Sequence, residues 1–305
     1  MTELRTTAGT YLTVRRALGF KMKAEERHLV EFIGFLEHER AEFITSRLAL
    51  QWATQPKCCH PALWLRRYCT VRRFAKYVQA LDPRTEIPLG GVLVRRYSRR
   101  TPHIYSDDEI LRLIEMAKRT RAPKGLWGLT FSTIFGLLAV TGMRVAESVN
   151  LNREDVDLPE GVLTVRETKF RKSRLVPVHP STVKVLRKYA RIRDRIFPEL
   201  KSGSFFVTER GKRLTAKHVG KKFLVLARKT GLRGPIGEAG PHLHDLRHSL
   251  AVHAMLELYR SGADVEAHIP ELSTYLGHLN TAATYWYVSA VPELLSLAAQ
   301  RLEQP

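Results

Sequence analysis

The segment HDLRHS, His244–Ser249, places two imidazoles and a guanidinium within a short stretch of the chain. If this segment is helical, His244 and Arg247 stand three residues apart and share one helical face. An imidazole and a guanidinium on one face can converge on a single anion, because the guanidinium binds oxygen atoms and the imidazole can move a proton. The alternative is the polar, exposed start of a capped helix. The spacing alone leaves both interpretations open.

Further candidates flank this segment along the chain. Arg144 and Glu147 lie in TGMRVAES, Lys169 lies between two β-like runs, and His278 follows a glycine nine residues before Tyr287. Each has an ordinary explanation on its own: a surface ion pair, a solvated turn lysine, or an aromatic residue in a packed core. Their order along the chain carries more information than any one of them.

In that order, TGMRVAE, TKFRKSRLVPV, HDLRH, LGH and the final tyrosine resemble the signature of the tyrosine recombinases of the phage integrase family. The resemblance covers nearly the full length of the chain. It implies catalytic roles for Arg144, Lys169, His244, Arg247, His278 and Tyr287, and a supporting role for Glu147. Tyr285 is a neighbouring candidate nucleophile, but the nine-residue interval from His278 favours Tyr287.

The resemblance also implies a mechanism. Arg144 and Arg247 would hold the non-bridging oxygens of a phosphodiester, where planar guanidinium groups bind bidentately. A tyrosine hydroxyl has a pKa near 10, so Tyr287 needs a proton acceptor, for which His244 is the candidate. Lys169 would protonate the departing 5′-oxygen, and His278 would contact the phosphate. The resulting 3′-phosphotyrosine conserves the bond energy, so we expect no cofactor, metal ion or ATP.

The apolar periodicity predicts a mainly α-helical protein with a small β-hairpin, an α+β fold. Amphipathic patterns, including one over Tyr11–Glu39, predict a helical bundle in residues 1–95. A segment rich in Pro, Gly and Arg precedes Ser106, which is an N-cap candidate, and we take 96–102 as a linker. Residues 103–305 would form the catalytic domain. By resemblance, the two domains form a C-shaped DNA clamp.

The chain of 305 residues carries 50 Lys and Arg against 30 Asp and Glu, a formal charge of +20, which favours a polyanionic partner. Double-stranded DNA with a specific recombination site is the expected partner. No apolar run reaches the ~18 residues of a membrane span, and the N-terminus lacks the apolar core of a signal peptide, so we expect a cytoplasmic protein without a membrane partner. The candidate DNA-binding side chains are Arg66, Arg67, Arg72, Arg73, Lys76, Arg95, Arg96, Arg99 and Arg100.

The C-terminal segment Val291–Gln304 predicts an amphipathic helix directly after Tyr287. The resemblance implies that this helix docks on a neighbouring protomer, giving a homo-oligomer that grows from dimer to tetramer on DNA. A helix that folds back within its own chain remains the alternative. Partner recombinases or accessory DNA-bending proteins are further candidate partners, and service to a mobile element is the expected biological setting.

Three other functions are weighed against this one. A type IB topoisomerase shares the chemistry but relaxes DNA without exchanging partners, and a non-catalytic DNA-binding regulator would not need Tyr287. A zinc site would have to use His242, His244 and His248, or the CCH segment at 58–60, whose spacings fit none of the usual ligand patterns. Three cysteines without paired spacing indicate reduced thiols rather than a disulfide framework.

Overall fold

The computed structural model describes residues 3–57, 59, 61–93, 100–166, 173–278 and 280–302. The chain forms two compact units, Met1–Arg99 and Arg100–Pro305. Each unit has a hydrophobic core of its own, and the second unit has a further cluster near its C-terminus. The predicted domain limits, 1–95 and 103–305, stay a prediction.

The described part of the first unit is helical. Its helices are α1 (Glu3–Ala17), α2 (Lys23–His38), α3 (Ser46–Thr54) and α4 (Pro61–Gln79). The continuous helical pattern over Tyr11–Glu39 is wrong as a single helix, because the backbone turns between α1 and α2. Gly19 has a φ of +89° and Met22 one of +48°, and neither value fits a right-handed helix. An apolar period can continue through such a turn, since it records burial rather than backbone direction.

The core of the first unit is built on large apolar side chains from each of its helices, among them Phe32, Trp52 and Phe74. Trp52 is 1% exposed, and the guanidinium of Arg67 lies 3.7 Å from its ring centroid. Arg67 is therefore part of the packing of this unit. Thr45 begins α3 by accepting a hydrogen bond from the backbone N of Leu48 at 3.2 Å.

The second unit begins with a capped helix and is also mainly helical. Ser106 caps α5 through a capping box with Glu109, as the sequence predicted. The helices of this unit are α5 (Asp107–Lys118), α6 (Leu126–Thr141), α7 (Val145–Asn150), α8 (Pro180–Ile196), α9 (Ala216–Lys229), α10 (Asp245–Arg260), α11 (Val265–Leu276), α12 (Ala282–Ala290) and α13 (Pro292–Leu302). None of the helices that the structure describes has the length and apolar composition to cross a membrane.

A small antiparallel sheet interrupts the helices after α7. Its strands are β1 (Val156–Asp157), β2 (Val162–Val165) and β3 (Arg174–Pro177), in the order β1-β2-β3. Leu163 pairs with Val176 across β2 and β3, which are the two runs predicted as a hairpin. The mainly α-helical fold with a small sheet is confirmed, and β1 is an addition that its length of two residues hid from the sequence pattern.

The last helices, α10 to α13, share a separate apolar cluster that includes Met255, Leu276, Tyr287 and Leu294. Leu294 on α13 is fully buried, and Glu293 accepts a hydrogen bond from Arg260 of α10 at 2.6 Å. In this chain α13 therefore folds back onto α10. This is the arrangement that was left open as the alternative to docking on a neighbour.

Candidate active site

Gly142 directs the chain from α6 into the site. It has a φ of +58°, and a Cβ at this position would lie 2.8 Å from Cδ2 of Leu276 and 2.9 Å from Cδ2 of Leu250. Only glycine combines the left-handed backbone with so close an approach. The turn ends α6 and sets Arg144 as the N-cap residue of α7.

Arg144 is held by a buried carboxylate. Its Nη1 donates to Oε1 of Glu147 at 2.7 Å, and its Nη2 donates to the carbonyl of Gly277 at 3.0 Å. Glu147 also accepts from Arg174 of β3, at 2.7 Å on Oε2 and 3.3 Å on Oε1. Burial raises the pKa of Glu147, but the hydrogen bonds from Arg174 and Arg144 outweigh it and lower that pKa overall. The supporting role expected of Glu147 agrees with this arrangement.

Arg174 is a functional candidate that lies within the TKFRKSRLVPV motif but was assigned no role from the sequence. Besides Glu147, it donates from Nε to the carbonyl of Tyr275 at 3.0 Å. A Cβ on Gly277, whose φ is +70°, would lie 2.6 Å from Nη1 of Arg174. Arg174 thus ties the sheet both to the Arg144–Glu147 pair and to the turn before His278. Its position after the hairpin lysine was the available signal.

Arg247 is 2% exposed and has an unsatisfied donor. Its Nη1 donates to the carbonyl of Gly142 at 2.8 Å, whereas its buried Nη2 has no hydrogen-bond partner among the described residues. Burial and the charge of Arg144 lower the pKa of Arg247 to about 10, so the group remains protonated at neutral pH. A buried charged donor without a partner is costly, and an anion would satisfy it.

His244 begins α10, on the same side as the two arginines. His244 is an exposed residue, but the surrounding protein still partly desolvates its imidazole, which lowers its pKa. The charges of Arg247 and Arg144 lower this pKa further. A lowered pKa keeps the imidazole neutral at neutral pH, so it can accept a proton or donate one hydrogen bond.

Tyr287 is buried, with 1% of its surface exposed, and a histidine other than the expected one contacts its hydroxyl. The hydroxyl lies 2.7 Å from Nδ1 of His248. The sequence pattern indicated no role for His248 in the chemistry. Tyr285, the other candidate nucleophile, is 43% exposed on the opposite side of α12 from this contact.

His278 follows Gly277 and lies beside the tyrosine. Its Nδ1 lies 2.7 Å from the hydroxyl of Thr284, which in turn lies 2.6 Å from that of Ser273. Its ring stacks against Tyr287 with centroids 6.4 Å apart. The structure therefore brings five of the six predicted catalytic residues into one region. The sixth, Lys169, lies outside the described residues, between β2 and β3 in the chain.

The predicted DNA-binding residues fall into different environments. Arg66, Arg73 and Lys76 are exposed on one face of α4, and Arg72 is half-buried, with its Nε on the carbonyl of Pro88 at 2.8 Å. Arg67 was predicted to bind DNA, but it is only 8% exposed and donates a hydrogen bond to the carbonyl of Trp52 at 3.0 Å. Its side chain packs beside the indole of Trp52 and is therefore not presented to solvent.

In the second unit, Arg100 is exposed and lies 3.8 Å from Asp245. Arg95, Arg96 and Arg99 lie outside the described residues. Within the part of the chain that the structure describes, no three His, Cys, Asp or Glu side chains form a group that could hold a metal ion. Cys58 and His60 of the CCH segment also lie outside that part.

Comparison with known families gives one match, to the model described as the phage integrase family, over residues 104–293. A protein of Sinorhizobium fredii named as an integrase/recombinase, y4rB, is 42% identical and covers 100% of this chain and 98% of its own length. The tyrosine recombinase XerC of Alcanivorax borkumensis is 28% identical and covers 73% of this chain and 67% of its own.

Two solved structures extend the similarity to the fold. The crystal structure of XerA recombinase matches with a TM-score of 0.52 at 25% identity, covering 99% of this chain and 98% of XerA. The Tn1549 transposon integrase in complex with transposon right end DNA matches with a TM-score of 0.64 at 16% identity, covering 99% and 100% of the two chains.

Proposed function

Since the chain belongs to the phage integrase family, we propose that it is a tyrosine site-specific recombinase that cleaves and rejoins DNA strands through a 3′-phosphotyrosine intermediate. One observation carries this proposal. The buried guanidinium of Arg247 has an unpartnered Nη2 and lies close enough to Arg144 and Tyr287 for both to act electrostatically on it. This arrangement suits an anion that is attacked by a phenol.

The charges of the site fit a phosphodiester. Arg144 and Arg174 bind the carboxylate of Glu147, and Arg247 lies within electrostatic range of it, so these four groups together carry a net charge of +2. A phosphodiester carries one negative charge, and attack by a tyrosine oxygen adds negative charge at the non-bridging oxygens in the transition state. The cations therefore stabilise the transition state more than the ground state. Loss of one such donor costs about 3 kcal/mol, or roughly a hundredfold in rate.

The remaining residues receive roles from their positions. Tyr287 attacks the phosphorus, and His278 contacts a phosphate oxygen. The neutral imidazole of His244 faces the same anion. Lys169, between β2 and β3 in the chain, protonates the 5′-oxygen as it leaves. When a different 5′-hydroxyl attacks the phosphotyrosine, the step runs in reverse and joins strands in a new combination. No step in this scheme consumes ATP or needs a metal ion.

The partner is double-stranded DNA in the cytoplasm, bound by both units. The exposed face of α4 offers Arg66, Arg73 and Lys76 to phosphates, and Arg100 offers another cation. The C-shaped clamp around the duplex stays a prediction. A transposon integrase among the structural matches supports service to a mobile element. Partner recombinases and DNA-bending proteins stay predictions.

We propose a homo-oligomer that grows from dimer to tetramer on DNA. The helix α13 covers part of α10 in its own chain. If protomers exchanged this helix, α13 of one protomer would pack on α10 of the next and bury the same apolar side chains, so no additional interface would be required. Cross-linking of a cysteine introduced on α13 to the neighbouring protomer, with and without DNA, measures this exchange.

The central test uses DNA that flanks the gene of this protein. Wild-type protein is expected to form a covalent complex at one mapped phosphate, and Tyr287→Phe is expected to form none while binding the DNA with unchanged affinity. Covalent complexes are trapped in denaturant, and the linked tyrosine is identified by mass spectrometry. Tyr285→Phe is the matched control and should react like the wild type.

Two results would contradict the proposal. If the wild-type and Tyr287→Phe proteins bind the DNA equally and neither forms a covalent complex, the protein is a regulator that binds DNA without cutting it. Efficient relaxation of supercoiled DNA that lacks the mapped site indicates a type IB topoisomerase.

A further inference from the structure

The hydroxyl of Tyr287 has a defined partner in this structure. Nδ1 of His248 lies 2.7 Å from the phenolic oxygen, at the separation required for direct proton transfer. The two residues are 39 positions apart in the chain, so the contact depends on the packing of α12 against α10. Both helices contribute to the C-terminal apolar cluster, which keeps water away from the phenol.

Helix geometry separates His248 from Arg247, which has the unpartnered donor. His248 directly follows Arg247 on α10, and adjacent positions on a helix point about 100° apart. His244 lies one turn before His248, with the two rings edge to face at a centroid distance of 4.8 Å. One helix thus presents Arg247 to the Gly142 turn and His248 to the phenol. The groups next to the pair include His244 from the same helix, Trp286 from α12 and His278 from the turn before it. The charge of Arg247 also acts on Tyr287.

We propose that His248 is the group that takes the proton of Tyr287 when the tyrosine attacks DNA. This inference rests on the proposed function. It leaves His244 to contact the phosphate, rather than to act as the proton acceptor that the sequence suggested. The reactive tautomer of His248 carries its proton on Nε2 and accepts the phenolic O–H at Nδ1.

The step balances with the groups named. The phenolic proton moves to Nδ1 of His248, and an electron pair of the phenolic oxygen forms the bond to phosphorus. The bond between phosphorus and the 5′-oxygen breaks, and that oxygen takes a proton from Lys169. His248 ends as an imidazolium and Lys169 as a neutral amine. The reverse reaction returns both protons.

A competing interpretation is that His248 only clasps the tyrosine in a resting position. Tyr287 is 1% exposed, so a phosphate reaches its oxygen only after the surrounding side chains or α12 move. Under that interpretation, replacement of His248 leaves the rate of cleavage unchanged if the new side chain keeps the hydrogen bond, and raises the rate if the hydrogen bond is lost. The proton-acceptor interpretation predicts a slower cleavage in both cases, so one substitution separates the two.

The test is His248→Asn in the full-length protein. The Asn side-chain oxygen can occupy the place of Nδ1 and keep a hydrogen bond to the phenol, but it does not take up a proton at neutral pH. With a suicide DNA derived from the mapped site, single-turnover formation of the covalent complex is expected to slow about a hundredfold or more. His253→Asn, on the same helix, is the matched control and is expected to react within threefold of the wild type.

A second measurement separates a proton acceptor from a structural residue. Site-specific replacement of Tyr287 by 3-fluorotyrosine gives a more acidic phenol, which depends less on a base. In the His248→Asn background this replacement is expected to recover most of the lost rate, whereas the same replacement in the His248 protein changes the rate little. Thermal unfolding and DNA affinity are measured for each variant to confirm that both stay unchanged.

Three outcomes overturn the inference: His248→Asn reacts within threefold of the wild type, or it reacts faster, or its loss of rate is not recovered by fluorotyrosine. The first two leave the proposed function intact, since Tyr287 still forms the covalent complex. A wild-type protein that forms no covalent complex with any flanking DNA overturns the proposed function and this inference together.

Discussion

At the scale of single residues, the site depends on the carboxylate of Glu147, which binds the guanidinium groups of Arg144 and Arg174. Without Glu147, Arg144 and Arg174 would repel each other, and Arg144 would lose the hydrogen bond that orients its Nη1. Within the described part of the chain, Arg174 donates no hydrogen bond to Tyr287. It therefore acts through Glu147, as a positioning residue. Its bidentate geometry needs a planar fork, which lysine lacks.

We therefore expect Arg174→Lys to slow DNA cleavage about tenfold, which corresponds to roughly 1.4 kcal/mol, the order of one weakened charge-assisted hydrogen bond. The single-turnover rate at saturating protein should fall, while the dissociation constant for DNA stays the same. Arg112→Lys on the exposed side of α5 is the matched control. An unchanged rate, or a loss that appears only in the dissociation constant, would show that Arg174 does not position the site.

At the scale of elements, the reactive tyrosine belongs to the cluster formed by α10 to α13. This cluster is smaller than the main core of the second unit, and α13 closes it through Leu294. Local opening in proteins is easiest where few buried contacts hold an element. The helix that covers the cluster is therefore suited to move when the protein assembles on DNA.

Docking of α13 within its own chain gives a direct prediction for stability. Leu294→Ala should lower the free energy of unfolding of the DNA-free protein by about 2–5 kcal/mol, because Leu294 is fully buried. Leu295→Ala is the matched control, since Leu295 is 54% exposed, and should change the free energy by no more than about 0.5 kcal/mol. Chemical denaturation measures both values. Equal effects of the two substitutions would mean that α13 does not pack in cis in solution.

At the scale of the whole molecule, the net charge of +20 is the property most directly tied to the partner. Arginines of α4 look equivalent in the sequence, but the structure divides them into exposed and buried groups. Exposed cations release counterions when they meet phosphates, and each such contact steepens the salt dependence of binding. A buried arginine such as Arg67 contributes packing instead.

The double substitution Arg73→Ala with Lys76→Ala should therefore reduce the slope of log K against log salt by about 2, if each side chain meets one phosphate. Fluorescence anisotropy over a range of salt concentrations measures the slope. Arg67→Lys is the contrasting control: it should keep the slope but lower the unfolding temperature, because its contact with Trp52 is lost. A slope unchanged by the double substitution would remove this face of α4 from the DNA-binding surface.

The sequence by itself determined most of the elements and the order of the candidate reactive side chains. Ser106 begins α5 because its hydroxyl caps the helix, and Gly142 ends α6 because a residue without a side chain adopts the left-handed backbone there. The mainly helical fold and the hairpin also followed from local patterns, since burial periodicity and turn chemistry act over a few residues. The same local patterns predicted one helix where α1 and α2 are separate, because a burial pattern does not record a change in backbone direction.

Only the tertiary structure decided which partners these side chains have. Arg174 reaches Glu147 across 27 residues, His248 reaches Tyr287 across 39, and Arg67 reaches the carbonyl of Trp52 across 15. Spacing along a helix fixes which residues share a face, but the contact between two faces depends on how helices pack. The sequence therefore identified candidate groups for phosphoryl transfer, whereas the packing of α10 against α12 determined that the imidazole of His248 lies at the hydroxyl of Tyr287.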